Sequence, residues 1–389
     1  MAISRNHPNR IEFANSLRGI AALMVVVSHY FGFFWRGRDV VAGQSHMPIL
    51  PIDQFPSPIY SPWLNVVPHV HWGNFGVALF FLVSGFVIPL SFQRASGIAF
   101  LVGRLFRLWP TYVAATSATL LSVFLGVTYF GLAWPYTASQ VAINSVIGLR
   151  DLAWSRPIDG VIWTLEVEVK FYLICAVAGP LLRSYSKVVF LVPVLLFVPA
   201  LLFWHSAAAN GEAAGYAYTI PFSLANCAQY IIFMFAGVAF QFTYMKRLRP
   251  AELVFLVIGL LAMLGILWAS ARDIASTELY SDYLLAVIVF ALSMRHRTVF
   301  SGGPVVSFFA NISYPLYVCH CVAGYVGLRA LLNAGADVWI AQAVVFAAAI
   351  SLAWIIHVVI ERPTHRLGRE VTARLSKRII KPDGVIAFR

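Results

Sequence analysis

Charge is what this chain has least of. Lys, Arg, Asp and Glu make up 11% of its 389 residues, against about 25% in a soluble domain. By contrast 60% of the residues are hydrophobic, and the mean hydropathy is +0.78. That composition excludes a soluble globular protein. Cysteine is scarce as well. The four present (Cys175, Cys227, Cys319, Cys321) all fall in apolar stretches, so no disulfide framework is expected. Cys319-His320-Cys321 offers metal-ligand types. On a helix these neighbours point about 100° apart, so no metal site is expected either. There is no internal repeat and no low-complexity tract. Residues 1–15 are polar, and no small-x-small cleavage site follows them, so the next apolar run is expected to be a retained first span.

Acidic residues are few: 16, against 28 Lys and Arg, for a net charge of +12. The excess sits in the C-terminal segment and in short connectors. That is the pattern of a cytoplasmic membrane face rather than of nucleic-acid binding.

What the chain has in abundance is apolar runs of about 20 residues, each long enough to cross a bilayer. They are expected near 16–35, 73–93, 108–130, 161–182, 188–205, 219–244, 251–270, 281–298, 305–328 and 337–360. This predicts an all-α integral membrane protein, a bundle of about ten transmembrane helices. With both termini inside, 21 of the 28 Lys and Arg fall on the cytoplasmic side and 6 outside. Lys170 lies within a span, and the split favours an N-in, C-in chain. Residues 1–366 are expected to form the membrane domain and 367–389 a basic cytoplasmic tail. Two outer segments, 37–72 and 131–160, are long. Their aromatics Tyr60, Trp63, Trp72 and Trp134 suit a packed lid, sugar stacking or interfacial anchoring.

Charged residues inside spans are costly and mark functional paths. Arg18 and His29 are eleven residues apart in the first run. They therefore share a helix face about 16 Å apart along the axis. The segment 163–172, WTLEVEVKFY, holds three charges. Glu166 and Lys170 are spaced i, i+4 and are expected to pair. Glu168 lacks such a partner. Counted inward from the outer ends of their spans, Glu168 lies about 12 Å deep and His29 about 9 Å, so the two can meet. Ser313, Tyr317 and His320 in SYPLYVCH line one face. Arg104 and Arg107, at i, i+3 before the third span, suit a phosphate clamp or anchoring to lipid headgroups. Ser84-Gly85 in FFLVSGF reads as close helix packing. Glu361 beside Arg362 ends the last span.

Taken in order, these motifs resemble acyltransferase family 3, the bacterial polytopic membrane O-acyltransferases. The likeness covers about residues 10–366. It rests on Arg18 and His29, FFLVSGF, GRLFRLWP, WTLEVEVKFY, SYPLYVCH and ERP. The familiar fourth motif has Ser where this chain has Thr164, and its carboxylate matches Glu168. The resemblance implies transfer of an acyl group, commonly acetyl, from cytoplasmic acyl-CoA as co-substrate to a hydroxyl. Acceptors in the family include surface polysaccharides, lipopolysaccharide, lipo-oligosaccharides and some macrolides. It implies a multi-pass protein of the bacterial cytoplasmic (inner) membrane, acting alone or with a separate partner protein. On this reading His29 and Glu168 are catalytic, and Arg18, Arg104 and Arg107 bind the donor. Ser84, Trp163, Tyr172, Tyr317, His320 and Glu361 support them. An imidazole titrating near pH 6.5 suits removal of the acceptor's proton, with a carboxylate to orient it. The rival readings are a transporter or flippase, since buried Arg, His and Glu also serve proton-coupled transport, and a non-catalytic relative that binds lipid-linked sugars.

Overall fold

The computed structural model describes residues 11–61, 64, 70–93, 95–210, 216–271, 276–298, 300 and 302–379. Trp63 and the last ten residues of the expected tail lie outside them. Within the described residues the regular structure is helical. The helices are α1 (Glu12–Arg36), α2 (Arg38–Ser45), α3 (Trp72–Ser91), α4 (Gly97–Tyr129), α5 (Ala138–Asn144), α6 (Ile162–Val177), α7 (Leu191–Asn210), α8 (Tyr216–Tyr244), α9 (Pro250–Ser270), α10 (Ser276–Arg295), α11 (Pro304–Cys319), α12 (Cys321–Asn333), α13 (Val338–Ile356) and α14 (Arg362–Ile379).

Among the described residues seven helical runs are long and apolar enough to cross a membrane, counting α13–α14 as one. The pair α11 and α12, bent by 73°, makes an eighth if it is one span. The protein is therefore an integral, multi-pass membrane protein. The ten expected runs differ from this for local reasons. The run near 161–182 yields α6, only 16 residues long. The run near 281–298 yields α10, with Asp282 in its first half and Arg295 at its end. The run near 305–328 breaks at His320.

Segments expected on one side do meet. Arg329 donates to the Pro48 carbonyl at 2.9 Å, Arg183 to the carbonyls of Phe92 (3.0 Å) and Ala95 (2.9 Å), and Lys187 to Glu252 at 2.5 Å. Within the segment after α1, residues 38–55 are packed rather than a solvated linker. The buried Arg38 guanidinium donates to the carbonyls of Trp35 (3.1 Å), Leu50 (3.0 Å), Pro51 (3.2 Å) and Phe55 (2.7 Å).

The core is the contact of α1 with α3 and α11, and of α3 with α8. Close approach of α3 and α8 needs Gly85 and Gly237. A Cβ on Gly85 would sit 2.0 Å from the Met234 carbonyl oxygen, and one on Gly237 2.4 Å from that of Leu82. The expected packing role of Ser84-Gly85 thus belongs to Gly85.

The connector between α4 and α6 positions the site. It does not stay at the surface. Tyr112 donates to the Asn144 carbonyl (2.6 Å) and Trp109 to that of Ser145 (2.9 Å). These bonds pull α5 down beside the middle of α4. Backbone folded back into a bundle must find its own partners, and Asn144 supplies them. Its Nδ2 donates to the carbonyls of Gln140 (3.0 Å) and Arg156 (3.1 Å), and its Oδ1 accepts from the Ile158 N–H (3.1 Å). Helix α6 therefore starts inside the protein. Its far end meets the first turn of α4, where Gly97 abuts the Ala176 carbonyl. At 1.5 Å per residue its start lies about 20 Å above that level.

Helix α4 is 33 residues long, about 50 Å. It begins at Gly97, so Arg104 and Arg107 lie within it rather than in a connector before a span. The α13–α14 run is 38 residues long from Val338 to Leu375, and α14 packs along the first half of α4. It passes residue 366 without interruption.

Candidate active site

Two short π-helical turns interrupt the long helices, at Ser28–Phe33 and His357–Glu361. Such turns are rare and recur at functional sites. They hold His29 and Glu361.

A cavity of about 540 Å³ opens among α1, α3, α4, α6, α11 and the α13–α14 junction. Arg18, Arg104, Arg107 and Arg362 line it against the carboxylates of Glu168 and Glu361, so positive charge is in formal surplus. Ser84, Tyr172 and Tyr317 line it too, with His357 and His365. Six segments far apart in sequence thus deliver the expected residues to one place.

Glu168 is held from two sides. Its Oε1 accepts from Ser84 Oγ at 2.9 Å and from the Tyr172 hydroxyl. The Arg104 guanidinium stacks 5.2 Å from the ring centroids of both Phe100 and Tyr172. Among the described residues Arg18 and Arg107 have no side-chain hydrogen bond or ion pair. Their donors face the cavity unengaged. Glu361 accepts from His357 Nδ1 at 2.5 Å, and Arg362 Nε donates to His357 Nε2 at 3.0 Å. Those two bonds fix the His357 tautomer, with the proton on Nδ1. Sequence reading missed His357, Arg362 and His365 as lining residues. The i, i+4 spacing of His357 and Glu361 was the available signal.

The far end of the cavity is capped by rings. Phe80 meets Tyr317 with centroids 5.4 Å apart, and the Tyr317 hydroxyl bonds that of Thr164 at 2.9 Å. Beyond Tyr317 lies His320 at 6.0 Å, then His29, edge-to-face against His320 at 5.0 Å. His29 Nδ1 bonds the Tyr325 hydroxyl at 2.8 Å. His29 therefore stands one layer of rings outside the cavity that holds Arg18.

Three expected contacts are replaced. His29 and Glu168 share no hydrogen bond among the described residues. The depth argument assumed that α6 enters from the outer surface, whereas α6 begins inside, which carries Glu168 down to the level of Arg18. Glu166 does not pair with Lys170. Its carboxylate takes Arg150 bidentately (2.6 and 2.5 Å), and Lys170 bonds Asp151 at 2.7 Å. Ser313, Tyr317 and His320 do not share one surface. Ser313 and Tyr317 line the cavity, while His320 lies at the break after α11. Trp163 packs against Tyr230 (4.8 Å) and Phe81 (6.1 Å), outside the cavity lining.

The core next to His320 holds one carboxyl outside the spans. Asp159 accepts the N–H groups of Val161 (3.2 Å) and Val322 (3.3 Å). Burial nevertheless pushes its pKa up to about 6. Among the described residues no group of three or more His, Cys, Asp or Glu is placed to hold a metal ion, and the four cysteines are free and buried.

Comparison with known proteins agrees with the motif order. The chain is 26% identical over 325 residues to the exopolysaccharide production protein ExoZ of Rhizobium meliloti (strain 1021), covering 80% of this chain and 96% of that protein. No solved structure matches it. The model of the family 3 acyltransferase domain matches residues 11–358, from α1 into the second π turn. The chain belongs to acyltransferase family 3.

Proposed function

We propose that this protein is an O-acyltransferase of the bacterial cytoplasmic membrane. It moves an acyl group, acetyl in the simplest case, from cytoplasmic acyl-CoA to a hydroxyl of a cell-surface glycan or glycolipid. The observation that carries the donor half is the pair of unengaged guanidinium groups, Arg18 and Arg107, in a cavity with surplus positive charge. Arginine forks match phosphate oxygens, and CoA carries several. The acceptor half rests on membership of the family and on the likeness to an exopolysaccharide production protein.

In this reading the pantetheine arm points up the cavity, past Glu168, toward Phe80, Thr164 and Tyr317. Transfer brings the thioester past Tyr317 to His29. As the acceptor oxygen attacks the thioester carbon, the new C–O bond forms and the C–S bond breaks. His29 takes the hydroxyl proton, which ends on the CoA sulfur. Glu168 stands with the donor. It offsets the positive charge of Arg18, Arg104 and Arg107 in the shared cavity.

Arg107→Ala is expected to weaken acyl-CoA binding about 10- to 150-fold, the equivalent of roughly 1.5–3 kcal/mol for a hydrogen bond to a charged group. Titration of purified, folded variant with acetyl-CoA measures this. Unchanged affinity would return Arg107 to lipid anchoring, and a wild type that ignores acetyl-CoA would favour a transporter. Sidedness is tested separately. In this reading residues 37–72 are outside and 245–250 inside, with N-in and C-in ends, as the excess of Lys and Arg in the connectors expected inside supports. Cysteine labelling that reaches both from the same side would overturn that topology.

A further inference from the structure

His320 is sealed from solvent at the break between α11 and α12. Its Nδ1 lies 3.0 Å from the Leu316 carbonyl oxygen and 2.8 Å from that of Tyr317. A carbonyl only accepts, so Nδ1 carries the proton and the neutral ring keeps a bare lone pair on Nε2. The Nδ1 bonds have a structural use, because they satisfy carbonyls that the end of α11 leaves open. The Tyr30 hydroxyl adds a bond to the His320 carbonyl at 2.7 Å and locks the break. Nothing structural employs Nε2. It is buried and among the described residues has no hydrogen-bond partner, although buried acceptors are nearly always satisfied. The imidazole beside this ring is His29, at 5.0 Å and 70° between planes.

We propose that His320 is a positioning residue whose Nε2 accepts a hydrogen bond from His29 when His29 becomes protonated. This rests on the reading of His29 as the base. In the resting state His29 is held by Tyr325. When it takes the acceptor's proton at Nδ1, in place of the Tyr325 contact, its Nε2–H becomes that of an imidazolium, and Nε2 of His320 is the acceptor poised for it. No atom is transferred to His320. The proton stays on His29 until it leaves with the CoA sulfur. The arrangement does for the imidazolium what a carboxylate does in a hydrolytic triad, without a buried negative charge.

The groups facing this pair support that division of labour. They are Tyr325 from α12, Tyr317 from α11 and Tyr30 from α1, with Cys321 of α12 and Asp159 of the segment before α6 beside Tyr325. The His71–Asp282 pair (3.4 Å) bridges the neighbouring outer ends of α3 and α10. Asp159 is occupied by the Val161 and Val322 N–H groups, and Glu168 lies in the donor cavity.

Two substitutions separate this role from the structural one. His320→Asn places an amide N–H near the Nδ1 position, keeping the helix cap, and removes the acceptor at Nε2. His320→Gln places a carbonyl oxygen near the Nε2 position. Two readouts use the full chain in lipid nanodiscs and membranes. One is the titration of 15N-labelled His29. The other is the pH dependence of acetyl transfer from acetyl-CoA in membranes carrying the cell's own glycans. The expected result for His320→Asn is a His29 titration midpoint at least half a pH unit lower. The acid limb of the rate profile moves the same way, kcat falls at least tenfold, and KM for acetyl-CoA stays within about twofold. His320→Gln brings the midpoint back toward wild type. An unchanged midpoint in His320→Asn, or a wild-type 15N spectrum with the proton on His320 Nε2, would overturn the proposal. The titration needs no turnover. A shifted midpoint with no acetyl transfer by wild type would sink the transferase reading and leave the proton sharing standing.

Discussion

His29→Ala is expected to reduce acyl transfer by about 10²- to 10⁴-fold, the range a positioned general base contributes, while leaving acyl-CoA binding at the wild-type level. The second half of that result follows from geometry. His29 lies a layer of rings beyond the cavity, with Tyr317 and His320 between it and Arg18. A change there removes no group that faces the donor. Glu168→Gln should behave in the opposite way. Its partners are Ser84 and Tyr172 inside the cavity, so its loss should act mainly on KM for acyl-CoA and less on kcat. Radiolabel transfer in membranes and calorimetric titration of the purified variants read the two quantities separately. Loss of donor binding in His29→Ala would show that the cavity and His29 form one compartment.

The second large effect is on stability. Glu166 is 2% exposed and its carboxylate is spanned by the Arg150 guanidinium. Removing one member of a buried ion pair strands the other charge and destabilises by about 3–5 kcal/mol. Arg150→Met is therefore expected to lower the melting temperature sharply in detergent and to reduce the yield of monodisperse protein. Arg150→Met combined with Glu166→Gln should recover part of the loss, because no charge is then left unpaired. A melting temperature unchanged by Arg150→Met would mean that α6 is not anchored through this pair.

That pair also marks where the sequence stopped being readable. The i, i+4 spacing of Glu166 and Lys170 is real, and on an isolated helix it stabilises by a few tenths of a kcal/mol. It was outcompeted by partners 16 and 19 residues earlier, Arg150 and Asp151. They become available only because Tyr112, Trp109 and Asn144 draw the α4–α6 connector into the bundle. Hydropathy marks α6 as apolar but does not say where along the membrane normal it begins. Hence Glu168 meets Ser84 and Tyr172 rather than His29.

The cavity was far more legible. Arg18, Arg104, Arg107, Glu168 and Tyr317 were singled out by type or spacing, Ser84, Tyr172 and Glu361 through the family resemblance, and all line it. Polar groups in apolar helices have few places to go, so they converge. His357 was passed over because the last span reads as uniformly apolar up to its charged end. Its role appears only when the π turn brings it onto Glu361 and Arg362.

The account's central claim is that this chain carries an acyl group from a cytoplasmic thioester to a glycan hydroxyl. Inside-out membrane vesicles supplied with 13C-acetyl-CoA, from cells with the wild-type chain or His29→Ala, test it most directly when their glycans are analysed by mass spectrometry. The account expects 13C-acetyl esters on a glycan in the wild-type vesicles and their loss in His29→Ala. Equal labelling in both, or no labelled ester in the wild type, would contradict it.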